Sequence, residues 1–533
     1  MSSEPRIPRV PSELSSSRVP VSYETYSTIA PVRKVRYTNR PAFLLLLATL
    51  VGFILYISNL SVWGVAAVAL LSILLFAFRQ RGVAYLLIWS LLFAWYAEIR
   101  DQDRVHLPDG QTIENAEIRI YYPVASSLEG TLSYHTKVKI PEGSWLTVQL
   151  QVPPNVELPE VYHYGGVITG TLDLSALRTV SGDSFRRYLM SEGYEAQGSL
   201  HRVSRYHEER FFSPLSSMRR LRSYLINDFN KATSQVLTTS ERGLIFAISL
   251  GDRSFLPREV QSSFRSSGVA HILAVSGYHL GIVYALLSMV LTWLLPKYEQ
   301  RRWRYATLLI GLILYTLLSG ASVATVRALT MGGLVLLYRF FDRSPDVVQV
   351  LSLTVLLFLF IEPYALFSAG LALSVSAVWG IHLFLPLFDH YLPLEQPILR
   401  YLGRIIYVSL SAQIGVLPFL LYYFGTASLV VLWSNIPMIL LSSILIPLAF
   451  ILVLVVGVVG KLPLFLTLTL KWLSCGMIAI ADRMGGESLA WLKLDLNFDL
   501  PLLILSYAIL QSAYWLIVNY ANRHHRALNV ELF

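Results

Sequence analysis

Three polar side chains in one otherwise apolar stretch, His271, Ser276 and His279, are of the types that transfer protons or line a polar path. On a continuous helix, turning about 100° per residue, the two histidines stand two turns apart and roughly 80° out of line. They share a lining only if Ser276-Gly277 bends or opens that helix. Ionisable groups inside a membrane face a cavity or a protein partner, because exposing them to lipid is costly. A channel or gate lining therefore competes with histidines hydrogen-bonded to neighbouring helices. Zinc binding or Ser/His catalysis is the weaker reading, since no third ligand and no G-x-S-x-G elbow stands nearby.

Arg327 falls about six residues into another apolar run, roughly 9 Å deep at 1.5 Å per residue. A guanidinium at that depth grips a phosphate bidentately, or it snorkels or pairs with a carboxylate. Asn435 and Pro437 free backbone groups inside a third run, which only protein or water can receive. A broken helix lining a path and a simple kink both satisfy that demand. Lys471 either faces a cavity or marks 463–481 as an interfacial helix. Gly457-Val458-Val459-Gly460-Lys461-Leu462 lacks the spacing and the hydroxyl of a P-loop. With no ATPase motif, movement of any cargo falls to a partner or a gradient, and no metal or cofactor is expected.

A second group of candidates lies between 101 and 206. Arg119, Lys137 and Lys139 accompany Tyr121, Tyr122, Tyr134, Trp145, Tyr162 and Tyr164. Aromatic rings beside basic groups stack bases and hold phosphates. Glu114, Glu117, Glu129, Glu142, Glu157 and Glu160 dilute that positive field, and packing of a small barrel accounts for the rings equally well.

These residues sit in a chain of 533 residues that is 54% hydrophobic and only 14% charged. Soluble domains carry about 25% charged residues, so most of this apolar surface faces lipid. The excess of 43 basic over 34 acidic residues, +9, is largely a matter of membrane topology. The single cysteine, Cys475, excludes a disulfide scaffold. Residues 1–40, with seven Lys/Arg and much Ser and Pro, form a disordered basic tail. Residues 41–98 hold three spans, at 42–58, 62–78 and 83–98.

Residues 99–206 alternate apolar with polar, as Leu146, Val148, Leu150 and Val152 do, and form a small inserted β-barrel or sandwich of five strands. Residues 207–268 are amphipathic helices at the outer membrane face. Pro214 opens the first, Thr238 and Glu241 make a capping box that Gly251 closes, and Pro257 opens the third. The region 269–520 supplies nine more spans, near 270–295, 305–319, 322–341, 346–361, 365–388, 405–424, 429–459, 463–481 and 500–519. A tail of 521–533 follows. The 429–459 run is long enough to be broken or re-entrant. The basic loops at Arg79/Arg81, Lys297–Arg304, Arg339/Arg343, Arg400/Arg404 and Arg523–Arg526 all fall inside when twelve spans leave both ends cytoplasmic.

Three stretches resemble the ComEC family of DNA-uptake channels. The first is Leu250-Gly251-Asp252-Arg253 followed by Gly268 through His271, Leu273-Ala274-Val275-Ser276-Gly277, His279 and Gly281. The second is Ser322-Val323-Ala324-Thr325-Val326-Arg327-Ala328. The third runs from Glu362-Pro363 to Leu373-Ser374-Val375-Ser376-Ala377-Val378, with Gln413, Pro418, Asn435 and Pro437 downstream. Phe185-Arg186-Arg187-Tyr188-Leu189 and Gly193 are similar to the end of that family's extracytoplasmic β-domain. Leu371 and Ala372 stand where the family commonly has Phe and Gln.

The resemblance implies an OB-like β-barrel in the periplasm and a polytopic α-helical channel of about twelve helices in the bacterial inner membrane. It implies passage of single-stranded DNA to the cytoplasm, with His271, Ser276, Gly277, His279, Arg327, Gln413, Asn435 and Pro437 as channel or gate lining. Arg119, Tyr121, Lys137, Lys139 and Trp145 are the β-domain's candidate DNA contacts. Its implied partners are a periplasmic DNA receptor, a cytoplasmic motor and single-strand-binding proteins. Many relatives carry a metallo-β-lactamase-like nuclease whose H-x-H-x-D-H cluster has no counterpart in these residues, so nuclease activity is not expected. The competing functions are transport or flipping of another anionic polymer or lipid, a membrane-embedded hydrolase using Ser276 with His271 or His279, and a scaffold whose β-domain docks a partner.

Overall fold

The computed structural model describes residues 40–57, 81–102, 110–126, 132–140, 143–153, 155–156, 166–177, 186, 189–208, 214–294, 301–393, 395–486, 493–495 and 498–530. The expected tail 1–39, the expected span 62–78, Lys297, Tyr162 and Tyr164 lie outside them.

Alternation dictates the β-domain. Five strands, β1 (Gln111–Ser126), β2 (Leu132–Lys139), β3 (Trp145–Val152), β4 (Gly166–Ala176) and β5 (Ala196–Glu208), close into a barrel in the order β1-β2-β3-β5-β4. Neighbours run antiparallel except β3 and β5, which pair in parallel from Val148↔Ala196 to Gln151↔Ser199. Successive side chains point to opposite faces of a strand, so Leu146, Val148, Leu150 and Val152 all turn inward. They meet Ile118, Val138, Ile168, Leu172, Leu174 and Leu200 in one buried core. The domain begins nearer 111 than 99, because the preceding helix continues to Gln102.

A short turn leaves the barrel wall between β4 and β5. Glu192 and Gly193 close it, their backbone N–H groups donating to Leu189 and Met190 carbonyls at 3.2 and 3.0 Å. Gly193 adopts φ 78°, a left-handed conformation that a β-carbon disfavours. Glu192 is thus held in a hydrogen-bonded turn.

Three helices lead into the membrane domain, α3 (Pro214–Thr233), α4 (Thr239–Leu250) and α5 (Arg258–Ser266); α1 (Pro41–Ile57) and α2 (Arg81–Gln102) precede the barrel. The capping box of α4 forms as the sequence requires, with the Glu241 carboxylate on the Thr238 N–H at 2.7 Å. Gly251 ends the helix at φ 73°. The expectation of an amphipathic surface helix does not hold for α4. Every residue from Gly243 to Leu250 is buried. A helix apolar on all sides must be packed on all sides, and α4 lies in a core shared with α3, α5, α12 (Val431–Val459) and α13 (Leu464–Gly485).

The remaining helices are α6 (Gly277–Leu294), α7 (Arg301–Leu318), α8 (Val323–Phe340), α9 (Val347–Ile361), α10 (Ala369–Tyr391), α11 (Pro397–Phe424) and α14 (Leu500–Val530). Among the described residues, seven helices are long and apolar enough to cross a membrane: α6, α8, α10, α11, α12, α13 and residues 500–520 of α14. Helices α1 and α9 are apolar but shorter. The protein is therefore a helical membrane protein carrying a five-stranded barrel. Helix α14 runs on to Val530, past the expected boundary at 520.

Three packing details fix the frame. Arg40, just before α1, donates to the Asp346 carboxylate at 2.7 and 2.9 Å, and Asp346 caps α9. Ser376 and Gly380 of α10 face Ser411 and Gly415 of α11 so closely that a β-carbon on Gly380 would lie 2.5 Å from the Ser411 carbonyl oxygen. Small residues four apart on each helix let the two backbones touch. Helix α12 passes unbroken through Pro437 and Pro447, so of the alternatives open to 429–459 the chain does not adopt the broken or re-entrant one. Hydrogen bonds from neighbours brace it, Ser434 Oγ to the Ser267 carbonyl at 2.8 Å and Tyr278 to the Ile439 carbonyl at 3.1 Å.

Candidate functional site

The loop after α4 is built around charges that water cannot reach. Asp252 pairs with Arg222 of α3 at 3.4 Å, their side chains 8% and 2% exposed. The same carboxylate accepts the Ser254 N–H at 2.9 Å. The adjacent Arg253 reaches forward, donating through Nε to the Leu273 carbonyl at 3.1 Å. One loop thereby clamps the segment that contains both histidines.

That segment is not the continuous span expected of 270–295. Residues Ala270–Ile272 form a single 3-10 turn, and α6 starts only at Gly277. The rotation expected of one helix therefore does not relate His271 to His279. Ser276 is the residue before α6, and His279 is its third. The Ser276 N–H donates to His279 Nδ1 at 3.3 Å, and the Ser276 hydroxyl lies 3.2 Å from the same nitrogen. The His279 ring thus accepts the Ser276 N–H as the third-residue glutamate of a capping box would, while the Ser276 hydroxyl meets the same ring nitrogen. An Nδ1 that accepts leaves its proton on Nε2, and Nε2 is buried without a partner. His279 is wholly buried, whereas His271 is exposed. The two rings remain within electrostatic range of one another.

The second motif locks onto the first. Ser322 caps α8 by accepting the Thr325 N–H at 3.3 Å, and the Thr325 hydroxyl donates to the Val275 carbonyl at 3.1 Å. Gly277 lies against Ala328, whose β-carbon stands 3.7 Å from where a glycine β-carbon would be.

Two residues further along α8, Arg327 is only 6% exposed. Its Nε donates to Ser374 Oγ of α10 at 3.3 Å, and the guanidinium lies flat on the first turn of that helix. A β-carbon on Gly370 would come within 2.6 Å of Nη2. Among the described residues neither terminal nitrogen of Arg327 makes a hydrogen bond and no carboxylate comes within ion-pair distance. Glu192, from the barrel's projecting turn, is the acidic group that feels it electrostatically. That carboxylate accepts the Ser368 hydroxyl at 3.2 Å, and Ser368 is the cap of α10. Burial raises the Glu192 carboxyl above its ordinary range, with Arg327 and Ser368 pulling the other way. Glu192, Ser368, Gly370 and Ser374 were not among the sequence candidates. Ser368 ahead of an apolar run is a readable cap signal, but nothing local ties it to a glutamate 176 positions away.

The other lining candidates lie elsewhere. Asn435 of α12 donates to Ser409 of α11 at 2.9 Å, while its Oδ1 is buried without a partner. Pro437 is half-buried inside the same helix. Gln413 is half-buried on α11 and makes no hydrogen bond among the described residues.

On the barrel, strand register puts Glu117, Arg119, Lys137, Lys139 and Trp145 on one outward face. The Arg119 guanidinium covers the Trp145 ring at 4.0 Å from its centre, and Glu117 lies 3.5 Å from Arg119 and 3.9 Å from Lys139. Lys137 is exposed. Tyr121 sits in β1 at a shift of register; its side chain is outside the described residues. The face is basic, but its ring is already stacked by an arginine.

The sequence profile of the Competence protein family matches residues 248–519, just over half of the chain. ComE operon protein 3 of Bacillus subtilis is 31% identical over 276 residues, covering 51% of this chain and 33% of that protein. Recombination protein 2 of Haemophilus influenzae is 23% identical over 372 residues, covering 67% of this chain and 44% of its own length. Competence protein ComA of Neisseria gonorrhoeae is 30% identical over 115 residues, 21% of this chain and 17% of that one. The alignments thus span less than half the length of these relatives. No solved structure is a significant match.

Proposed function

The chain belongs to the competence protein family, and on that ground we propose that it is a membrane conduit for single-stranded DNA, moving it from the extracytoplasmic side to the cytoplasm. Arg327 is the observation that carries this reading. A guanidinium buried within the helical domain, with both terminal nitrogens free of hydrogen bonds, offers a bidentate grip for a phosphate. The first turn of α10 adds backbone N–H groups and the positive end of a helix dipole. Burying an unpaired cation costs several kcal/mol (roughly 3–5 when a partner is missing), a cost that an arriving phosphate relieves.

In this reading twelve spans leave both termini in the cytoplasm. The barrel, with its parallel β3–β5 closure, serves as an extracytoplasmic OB-like module. A DNA receptor delivers the strand outside, and a cytoplasmic motor with single-strand-binding proteins draws it in. Ser276 and His279 serve the path as architecture, since the His279 ring accepts the Ser276 N–H at the start of α6. The test is a transformation assay with labelled donor DNA. Deleting the gene stops entry into the cytoplasm while DNA still reaches the cell envelope; unchanged transformation refutes the conduit. Arg327→Gln lowers transformation at least tenfold, and Arg327→Lys restores only part of it, because a lysine lacks the fork.

A further inference from the structure

Arg327 already has an anion before it, and that anion belongs to the chain. Glu192 stands at the tip of a turn fixed by Gly193 and is carried by the barrel, not by the helical domain. Its carboxylate nevertheless reaches Ser368 at the start of α10, 3.2 Å away, on the helix turn against which the Arg327 guanidinium lies. The contact is an electrostatic one with Arg327 and not a closed ion pair, so the guanidinium keeps its terminal donors. A carboxylate and a phosphate present the same kind of oxygen to the same donors.

We propose that Glu192 is a built-in latch. The barrel's carboxylate fills the mouth of the Arg327 site, and a phosphate-bearing polymer opens the site by taking its place. The polymer's identity as DNA rests on the conduit reading above; the latch itself rests on the site. Three features support it independently. Glu192 belongs to the β-domain and its partners to the helical domain, so the contact joins the two. The carboxyl is held above its ordinary range by burial, so the docked state is one that a better-placed anion can displace. Arg327 is more than nine-tenths buried, so an approaching polymer must first clear whatever covers it. By linkage, an anion that binds the open form better than the latched form weakens docking by the same factor that docking weakens anion binding.

The experiment uses the full chain in detergent micelles and two end-labelled probes, an oligodeoxythymidylate and inorganic polyphosphate, read by fluorescence anisotropy. Glu192→Ala removes the charge together with the Ser368 contact, and its size-exclusion profile and unfolding midpoint report that the fold is retained. Opening the mouth of the site tightens both probes on the order of tenfold. In the double variant Glu192→Ala/Arg327→Gln the gain disappears. Tightening of polyphosphate alone upholds the latch and removes DNA as its ligand. Unchanged affinity for both probes in Glu192→Ala, or a gain that survives loss of Arg327, overturns the latch. In that case weaker oligonucleotide binding by Arg327→Gln alone leaves the conduit reading standing.

Discussion

Replacing Asp252 by Asn separates the work of the buried ion pair from that of the loop's hydrogen bonds. The amide still accepts the Ser254 N–H through its remaining oxygen, so the turn keeps its 2.9 Å bond. What goes is the negative charge 3.4 Å from an Arg222 guanidinium that is 2% exposed. Breaking a buried pair from one side costs about 3–5 kcal/mol, because the surviving charge stays out of water. Stability for a folded domain is commonly about 5–15 kcal/mol, so the loss is a large share of the whole. A change of 1 kcal/mol shifts the midpoint of a domain of this order by about 2–4 °C. The expected fall is therefore about 6–20 °C, followed by tryptophan fluorescence of the detergent-solubilised protein. The double variant Asp252→Asn/Arg222→Met recovers a large part of the loss, since no charge is left stranded. A single variant within 1–2 °C of the parent, or a double variant whose loss is the sum of the two singles, defeats the account (a coupling near zero means the charges do not interact).

The other expectations concern separate links in the chain of argument. Ser276→Ala removes one side-chain contact with the His279 ring, worth about 1 kcal/mol; transformation then falls modestly, whereas a nucleophile's loss would abolish activity outright. Gly251→Ala places a β-carbon 2.7 Å from the Ser319 carbonyl oxygen at φ 73°, and lowers stability by roughly 1–3 kcal/mol in the same unfolding assay. Leu146→Ala opens a cavity in the barrel core and costs about 2–5 kcal/mol, seen as loss of the barrel's β signal in circular dichroism before the helices melt. Glu192 gives a pH dependence whose sign is fixed. Its carboxyl is raised when docked, so the docked state binds the proton more tightly than the open one. Stability from docking is fullest below the ordinary carboxylate range and is lost as pH rises through the docked value. Arg327 from α8 and Ser368 ahead of α10 act on it, and the arginine stays charged throughout. The wild type's midpoint relative to Glu192→Gln thus climbs as pH falls from about 8 towards 5; a flat difference rejects the assignment.

How much of this was readable follows from the range of each interaction. Thr238, Glu241 and Gly251 were legible because a cap is closed within four residues. The barrel core was legible because a period of two needs only one strand to show itself. Helix α4 was legible in principle and misread. Gly243-Leu244-Ile245-Phe246-Ala247-Ile248 has no polar face, which is the pattern of a buried helix, yet its polar flanks suggested a surface one. The break inside 270–295 was legible only as a condition, that Ser276-Gly277 bend or open the helix, because apolar length alone reads straight through it. Asp252 with Arg222 and Glu192 with Ser368 left no trace, since a pair of charges far apart in the chain has no period.

The motif residues divide by what their hydrogen bonds leave over. Asp252 is occupied by Arg222 and Ser254, Arg253 by the Leu273 carbonyl, Thr325 by the Val275 carbonyl, and Ser276 by His279. Each ties one chain segment to another, and none has a reason to meet a ligand. Arg327 differs: it is as deeply placed as the others, but one bond to Ser374 uses a single donor of five. A buried cation kept in that state is destabilising unless something anionic visits it. The family signature is thus mostly the scaffold of the site, and Arg327 is the cation in it whose terminal donors that scaffold leaves open.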